Sequence, residues 1–391
     1  MSNFPFQIGE LLEVKIEKLS FGGSGIARFS GVVIFIPFSA PGDLLQIKIT
    51  QIKKRHAEGE ILKLIDAGPD RATPPCVAYG HCGGCNWQHL SYESQLRFKQ
   101  EIVTDFLNKF ISSSPTTKIL PIVPSTKPFH YRNRAQLKFK DNLLGFFKKN
   151  THDVVDIEAC WLLEEGLSEK IPSLKIDLIR QKLAKSELKS VELSLFSETP
   201  DLSEEGFSQV NRFQNENLIQ AVLSALSATP KDEGSPSTLF DLYAGSGNFT
   251  FPLIKIAGKR RVVGVELHSG AAKLAQDKLK KLKLSPKLTE FYNADVEIFL
   301  RRFPISAKDI VLLDPPRVGC SEEVISILAK SAPHRILYIS CDPASLARDL
   351  DRLWLKSEGK YHLHQVQCFD MFPQTHHVET LVEISTTQSL N

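Results

Sequence analysis

The chain has 391 residues, 42% hydrophobic and 24% charged, with 22 glycines and 22 prolines. That length predicts two or three domains, each able to bury a core of its own, and that composition excludes a disordered, collagen-like or coiled-coil chain. The longest strongly apolar run, residues 32–38, contains Pro37 and falls far short of the roughly 20 residues that span a bilayer. The amino terminus, MSNFPFQIGELLEVK, lacks the basic and apolar regions of a secretory signal, so a cytoplasmic protein without membrane association is expected. Basic and acidic residues number 48 and 45, a net charge of +3, and such a balance does not by itself argue for nucleic acid.

Residues 1–67 alternate β-rich runs at 11–19, 31–37, 45–52 and 58–65 with the turn signals FGGSG and PGD. Five or so short strands at this spacing predict a small antiparallel barrel of the OB type. A cysteine-bearing segment follows, then a helical pattern over about 91–110 and a polar loop at 112–118. Between residues 127 and 150, seven Lys or Arg stand against one acid, Asp141, interleaved with Phe129, Tyr131, Phe139, Phe146 and Phe147. Cations for phosphates and rings for exposed bases suit a single-stranded nucleic acid, although a strand pair with lysines on its solvated face gives the same pattern. From about residue 205, strands at 238–243, 261–266, 289–292, 309–313 and 336–340 alternate with amphipathic helices. That alternation predicts an α/β domain with a parallel sheet covered on both faces.

Seven cysteines are too few and too unevenly placed for a secreted disulfide framework. Cys76, Cys82 and Cys85 follow a C-x5-C-x2-C spacing within PPCVAYGHCGGCNWQH, and Cys160 is the only other cysteine before the α/β domain. Zinc sites favour two close pairs of ligands, whereas three plus one remote thiolate is the usual arrangement for a [4Fe–4S] cluster. Zinc and unliganded thiols remain the alternatives. Gly83 and Gly84 would let backbone approach the inorganic sulfides.

The α/β domain opens with DLYAGSGNF at 241–249, directly after a predicted strand and before a helix. Gly245 and Gly247 at such a turn let a cofactor approach the backbone. Glu266 ends the next strand, where a carboxylate can bond both ribose hydroxyls. The third glycine of a dinucleotide fingerprint is replaced by Thr250, which shifts the reading to S-adenosylmethionine, a ligand with no phosphate for the helix terminus. Asp295, after the third strand, is placed either for the adenine or as a helix N-cap.

Three further segments lie near strand ends, where ligands bind an open α/β sheet: DPPR at 314–317, SCDP at 340–343 and DMFPQTHHVE at 370–379. Cys341 is a candidate nucleophile. Carbon 5 of uracil is too weak a nucleophile for a sulfonium methyl group, and a thiolate added at carbon 6 makes carbon 5 an enolate carbon. A base must then remove the carbon 5 proton, and Glu379 is the choice, with His376 and His377 behind it.

With these residues on the page, the chain resembles the RNA uracil-5-methyltransferase family over almost its whole length. The likeness rests on the cysteine pattern, YRN at 131–133, F-x-Q-x-N at 207–211, DLYAGSGNF, DPPR, SCDP with LARDL at 346–350, and DMFPQTHHVE. It implies a TRAM barrel over 1–67, a central α+β iron–sulfur domain over 68–204, and a Rossmann-like class I methyltransferase domain with a mostly parallel seven-stranded sheet over 205–391. It also implies Cys341 as nucleophile, Glu379 as base, and S-adenosylmethionine held through Gln209, Tyr243, Asn248, Glu266, Asp295 and Asp314. Cys76, Cys82, Cys85 and Cys160 match the residues that hold a [4Fe–4S] cluster in members that have one. Ala244 stands where the family often has cysteine, a change without consequence if only the backbone makes that contact. The expected substrate is a uridine in structured RNA, 23S rRNA before tRNA, flipped out against Phe207 or Tyr131, with Arg132 on phosphate. A monomer without an obligate protein partner is expected. The reading of another class is an RNA-binding or folding factor whose methylation is incidental.

Overall fold

The structure, a computed structural model, describes residues 4–181, 188–195, 209–227 and 237–386. It divides into two compact units. The first comprises Met1–Ile102, Thr126–Ser203 and Phe372–His377, and the second Val103–Ser125, Glu204–Met371 and Val378–Asn391. The expected barrel and most of the expected central domain share the first unit, whereas residues 103–125 fall in the second and residues 372–377, expected in the methyltransferase domain, fall in the first.

In the first unit, β1 (Leu11–Lys15), β2 (Lys18–Leu19), β3 (Gly25–Phe29), β4 (Val32–Ile36), β5 (Leu44–Ile52) and β6 (His56–Asp66) form one sheet in the order β1-β5-β6-β4-β3-β2. Alternation along β1 and β5 sends Leu12, Val14, Leu45, Ile47 and Ile49 to one buried face, the period of two that a half-buried strand requires. β3 lies partly in the run read as a glycine turn: a Cβ on Gly25 would collide with Ser39, so the glycine here is a strand residue at a close approach rather than a turn residue. The same unit carries the first part of α1 (Tyr92–Ser113) and, after β7 (Lys118–Ile119) of the other unit, a second sheet, β10-β9-β8-β11. Its antiparallel strands are β8 (Arg134–Lys140), β9 (Leu143–Phe147), β10 (Val154–Asp156) and β11 (Lys189–Ser194), with α2 (Glu165–Ser168) and α3 (Ile171–Arg180) supplying Leu167, Ile171 and Leu174 to its core. The basic, aromatic segment is thus largely a strand pair, and Phe139 belongs to that core.

The second unit is built on an eight-stranded sheet in the order β14-β13-β12-β15-β16-β18-β17-β7. β12 (Thr238–Leu242), β13 (Arg261–Glu266), β14 (Thr289–Asn293), β15 (Ile310–Leu313) and β16 (Arg335–Ser340) run parallel, and β18 (Glu379–Thr386) is antiparallel to both β16 and β17 (Tyr361–Phe369). Seven of these are the strands of the expected Rossmann-like sheet, and two-residue β7 extends its edge. The central strands are buried end to end, as strands covered on both faces must be. The helices are α4 (Arg212–Ser227), α5 (Thr250–Ile256), α6 (Ser269–Lys281), α7 (Val296–Arg302), α8 (Glu322–Ser331) and α9 (Pro343–Lys356). Their starts are written locally: Asp295, Ser321 and Asp342 each cap a first turn with a side-chain oxygen, and Pro343 occupies the first turn of α9.

Candidate active site

The ends of β12, β13, β15 and β16 and the start of β18 carry the candidate residues. After β12 the backbone turns through Tyr243 (φ 64°), Gly245 (φ 56°) and Gly247 (φ 90°) before α5 begins. A Cβ on Gly245 would meet nothing within 4 Å, so open space lies against the backbone there, while one on Gly247 would run into the ring of Phe251. Glu266 is pinned by two backbone donors, Gly245 N–H at 2.9 Å and His268 N–H at 2.6 Å. Asn248 forms a reciprocal amide pair with Asn215 of α4, both bonds 2.9 Å. Asp295 is the N-cap of α7, its Oδ1 accepting from the N–H groups of Glu297 and Ile298. Gln209 is half-buried, and Phe207 lies outside the described residues.

Thr250, which replaces the third glycine, donates its hydroxyl to Asp241. Asp241 is fully buried and its second carboxylate oxygen has no hydrogen-bond partner. Burial pushes its pKa up to about 7, against the lowering effect of Thr250. Asp314, just beyond β15, is likewise raised to about 7 by burial and then by the charges of Asp241 and Glu266. A loop with open space against its backbone and several carboxylates around it fits a cationic ligand. Asp241 stands inside the DLYAGSGNF motif without a role legible from the motif itself. The signal available was a carboxylate at the end of a strand flanked by apolar residues, hence buried and in need of a partner.

Cys341 follows β16 directly, and Glu379 is the first residue of β18. Because Ser340 pairs with Thr380 across these strands, the two reactive candidates sit at adjacent strand ends. Glu379 is only 4% exposed; burial, then the charge of Asp314, raises its pKa well above the ordinary carboxylate range, with Arg317 opposing. The Cys341 thiol is pushed up to about 12 by burial and the Glu379 charge, Arg317 again acting the other way. Thiol, carboxyl and guanidinium therefore form one electrostatic unit. His376 is held within the first unit, where its Nδ1 lies 2.6 Å from Asn86 Nδ2 and its N–H donates to Asn86 Oδ1.

In the first unit, Cys76, Cys82, Cys85 and Cys160 line one cavity of about 230 Å³, with Phe146, Ile157 and Leu163 among its apolar walls. Among the described residues, no three His, Cys, Asp or Glu side chains converge closely enough to hold a metal ion. Burial pushes the thiols of Cys82 and Cys85 up to about 11 and 12. Gly83 is required by a close strand rather than by a ligand: its N–H donates to Phe147 O, and a Cβ there would collide with that same carbonyl. His89 turns to Ser39 O and Tyr79 and is held at about 4 by burial. One expected RNA contact is overturned: Tyr131 is wholly buried with its hydroxyl donated to Pro373 O, so its ring is not offered to a base. Arg132 is half-buried and lines the cysteine cavity, its Nε without a hydrogen-bond partner.

Comparison with known proteins agrees with this geometry. The family model described as tRNA (uracil-5-)-methyltransferase matches residues 198–387, and that of the TRAM domain matches residues 5–62. An uncharacterized RNA methyltransferase of Bdellovibrio bacteriovorus is 40% identical over 96% of this chain and 95% of its own length. A 23S rRNA (uracil(1939)-C(5))-methyltransferase of Shewanella piezotolerans is 30% identical over 96% of each chain. The crystal structure of the tRNA (uracil-54, C5)-methyltransferase of Pyrococcus abyssi, in complex with S-adenosyl-L-homocysteine, superposes with a TM-score of 0.72 at 25% identity, covering 95% of this chain and 99% of that one. The chain belongs to the RNA uracil-5-methyltransferase family, with a TRAM domain at its amino end and an S-adenosylmethionine-dependent methyltransferase sheet at its carboxyl end.

Proposed function

We propose that the chain methylates carbon 5 of a uridine in 23S rRNA, with Cys341 as nucleophile and Glu379 as base. The observation that carries the roles is the placement of Cys341 and Glu379 at adjacent ends of β16 and β18, under the opposing charges of Asp314 and Arg317. The Cys341 thiolate adds to carbon 6, and the pair of electrons displaced from the 5,6 double bond forms the enolate. When bound, S-adenosylmethionine supplies the electrophilic methyl group for carbon 5. Glu379 takes the proton left on carbon 5, the double bond reforms, and the carbon 6–sulfur bond breaks to return the thiolate. A carboxylate raised above its ordinary range is the stronger base for that step. Arg317 works against burial in the direction of the thiolate, although the thiol of the resting enzyme stays protonated with its pKa at about 12.

The methyl donor would be held by Gln209, the Tyr243–Asn248 turn, Glu266, Asp295 and Asp314. Four cysteines line one cavity, three from one loop and one from a remote segment, an arrangement that favours a polynuclear cluster over zinc. Arg132, in the same cavity lining, brings positive charge to Cys160 and opposes the burial that raises that thiol. We assign Cys76, Cys82, Cys85 and Cys160 to a [4Fe–4S] cluster, which would tie the Cys160 segment to the 76–85 loop; methyl transfer needs no electron from it. The TRAM match and full-length similarity to a 23S rRNA enzyme favour ribosomal RNA, and a cytoplasmic enzyme is part of the same reading. A tRNA uridine is the second reading, favoured by the Pyrococcus likeness.

The test is nucleoside mass spectrometry of RNA from a strain lacking this gene. Loss of 5-methyluridine from large-subunit rRNA alone supports the proposal, loss from tRNA supports the second reading, and no loss with no transfer by the purified protein refutes both. Cys341→Ala separates an enzyme from a binding factor by abolishing transfer while RNA binding remains.

A further inference from the structure

We propose that Asp349, a buried residue of α9, is a positioning residue that locks the loop bearing Asp314 and Arg317 to Tyr243 of the methyl-donor turn. The carboxylate is fully buried. Its Oδ2 accepts from Cys320 N–H at 2.7 Å and from the Tyr338 hydroxyl at 2.7 Å. Its Oδ1 accepts from Arg348 Nε at 2.9 Å and from the same guanidinium's terminal nitrogen at 2.8 Å, and that nitrogen also donates to Val318 O at 2.6 Å. The loop after β15 is thereby clamped at Val318 and Cys320 by one carboxylate and its neighbouring guanidinium.

The clamp extends to the residue between those two anchors. Gly319 takes φ 76°, and a Cβ there would collide with both Asp349 and Arg348. Its N–H closes the turn on Pro316 O at 2.8 Å, which fixes the backbone on either side of Arg317. The Cys320 side chain, 3% exposed, shares one buried cluster with Tyr338, and Tyr243 packs against that cluster. Tyr243 itself holds a left-handed backbone angle of 64°, a conformation a bulky residue keeps only when its surroundings hold it there. α9 begins at the Asp342 cap beside Cys341, so one helix borders the nucleophile and carries the clamp for the loop with its counter-charge.

This inference rests on the reading of Tyr243 as part of the methyl-donor site, and its first readout needs no RNA. Binding of S-adenosylhomocysteine is measured by calorimetry on the full chain carrying Cys320→Val, Cys320→Ser, Arg348→Met or Asp349→Asn, with melting temperature alongside. Cys320→Val keeps the N–H bond to Asp349 and puts a larger, branched side chain into the cluster against which Tyr243 packs, so affinity should fall about five- to tenfold. Cys320→Ser should restore it. Arg348→Met releases Val318 while leaving Tyr243 in place; kcat for methyl transfer should fall by a similar factor with the KM for methyl donor unchanged. Wild-type ligand affinity in Cys320→Val, or a wild-type kcat in Arg348→Met, overturns the proposal even if Asp349→Asn fails to fold. A substrate other than 23S rRNA would move only the RNA used in the kinetic arm and leave the calorimetric arm intact.

Discussion

Methyl-donor binding should expel a proton, because the donor's sulfonium is positive and the carboxyls gathered around the glycine turn are held partly neutral. Asp241 and Asp314 both stand at about 7, through burial and then, for Asp314, mutual repulsion. With such a value, a carboxyl is ionised about 3% of the time at pH 5.5 and about 90% at pH 8. If the bound cation requires one ionised carboxyl, affinity rises about thirtyfold between those two pH values. S-adenosylhomocysteine lacks the methyl group and the sulfonium charge and is the control, so the ratio of the two affinities is the quantity to follow. Titration calorimetry in two buffers of different ionisation enthalpy should show about one proton released per S-adenosylmethionine at pH 6. A ratio that stays flat from pH 5.5 to 8, with no proton released, refutes the reasoning. The unliganded protein should respond with the opposite sense. Both folded pKa values lie above the ordinary 3.8, so the folded state holds extra protons in between. Their contribution to stability is fully present below about pH 4 and is lost as pH rises through about 7. Asp241→Asn should flatten that part of the melting curve against pH.

Four other expectations are open to direct measurement. Glu379→Gln should stall after methyl transfer, so that covalent RNA–protein adduct accumulates on a denaturing gel; Cys341→Ala should give neither adduct nor product. Alkylation of Cys341 by iodoacetamide, followed by peptide mass mapping, should accelerate about tenfold per pH unit from pH 7 to 10 without levelling off, because only the thiolate reacts and its pKa stands at about 12. A plateau near pH 8 would show an activated thiol in the resting enzyme. Trp87 is fully buried among Leu19, Leu90 and Phe98 and donates Nε1–H to Gly23 O at 3.1 Å; Trp87→Ala should cost about 3–5 kcal/mol in chemical denaturation. Cys160→Ala should lower the iron and sulfide content of protein purified without oxygen, whereas zinc bound in place of iron in the unaltered chain would overturn the cluster assignment.

The sequence by itself determined the parallel-sheet domain and the position of the reactive groups along the chain. β13 was legible to the residue and β12, β14, β15 and β16 to within one residue at an end, because fully buried strands are continuous apolar runs with turn residues on both sides. DLYAGSG, DPPR and SCDP were legible because a ligand site on an open sheet is written at strand ends, where motif and element coincide. β3 was missed because Gly25 is where two segments approach too closely for any side chain, and sequence does not distinguish that from a turn. Tyr131 was assigned to RNA from its basic, aromatic neighbourhood, yet its burial depends on a residue far along the chain, Pro373. Only the tertiary structure decided that Cys341 and Glu379 are neighbours, since their proximity comes from β18 lying antiparallel beside β16. Only it decided the protonation of the site as well: a raised pKa is a property of burial and of charges brought close in space, and neither is encoded at any one position.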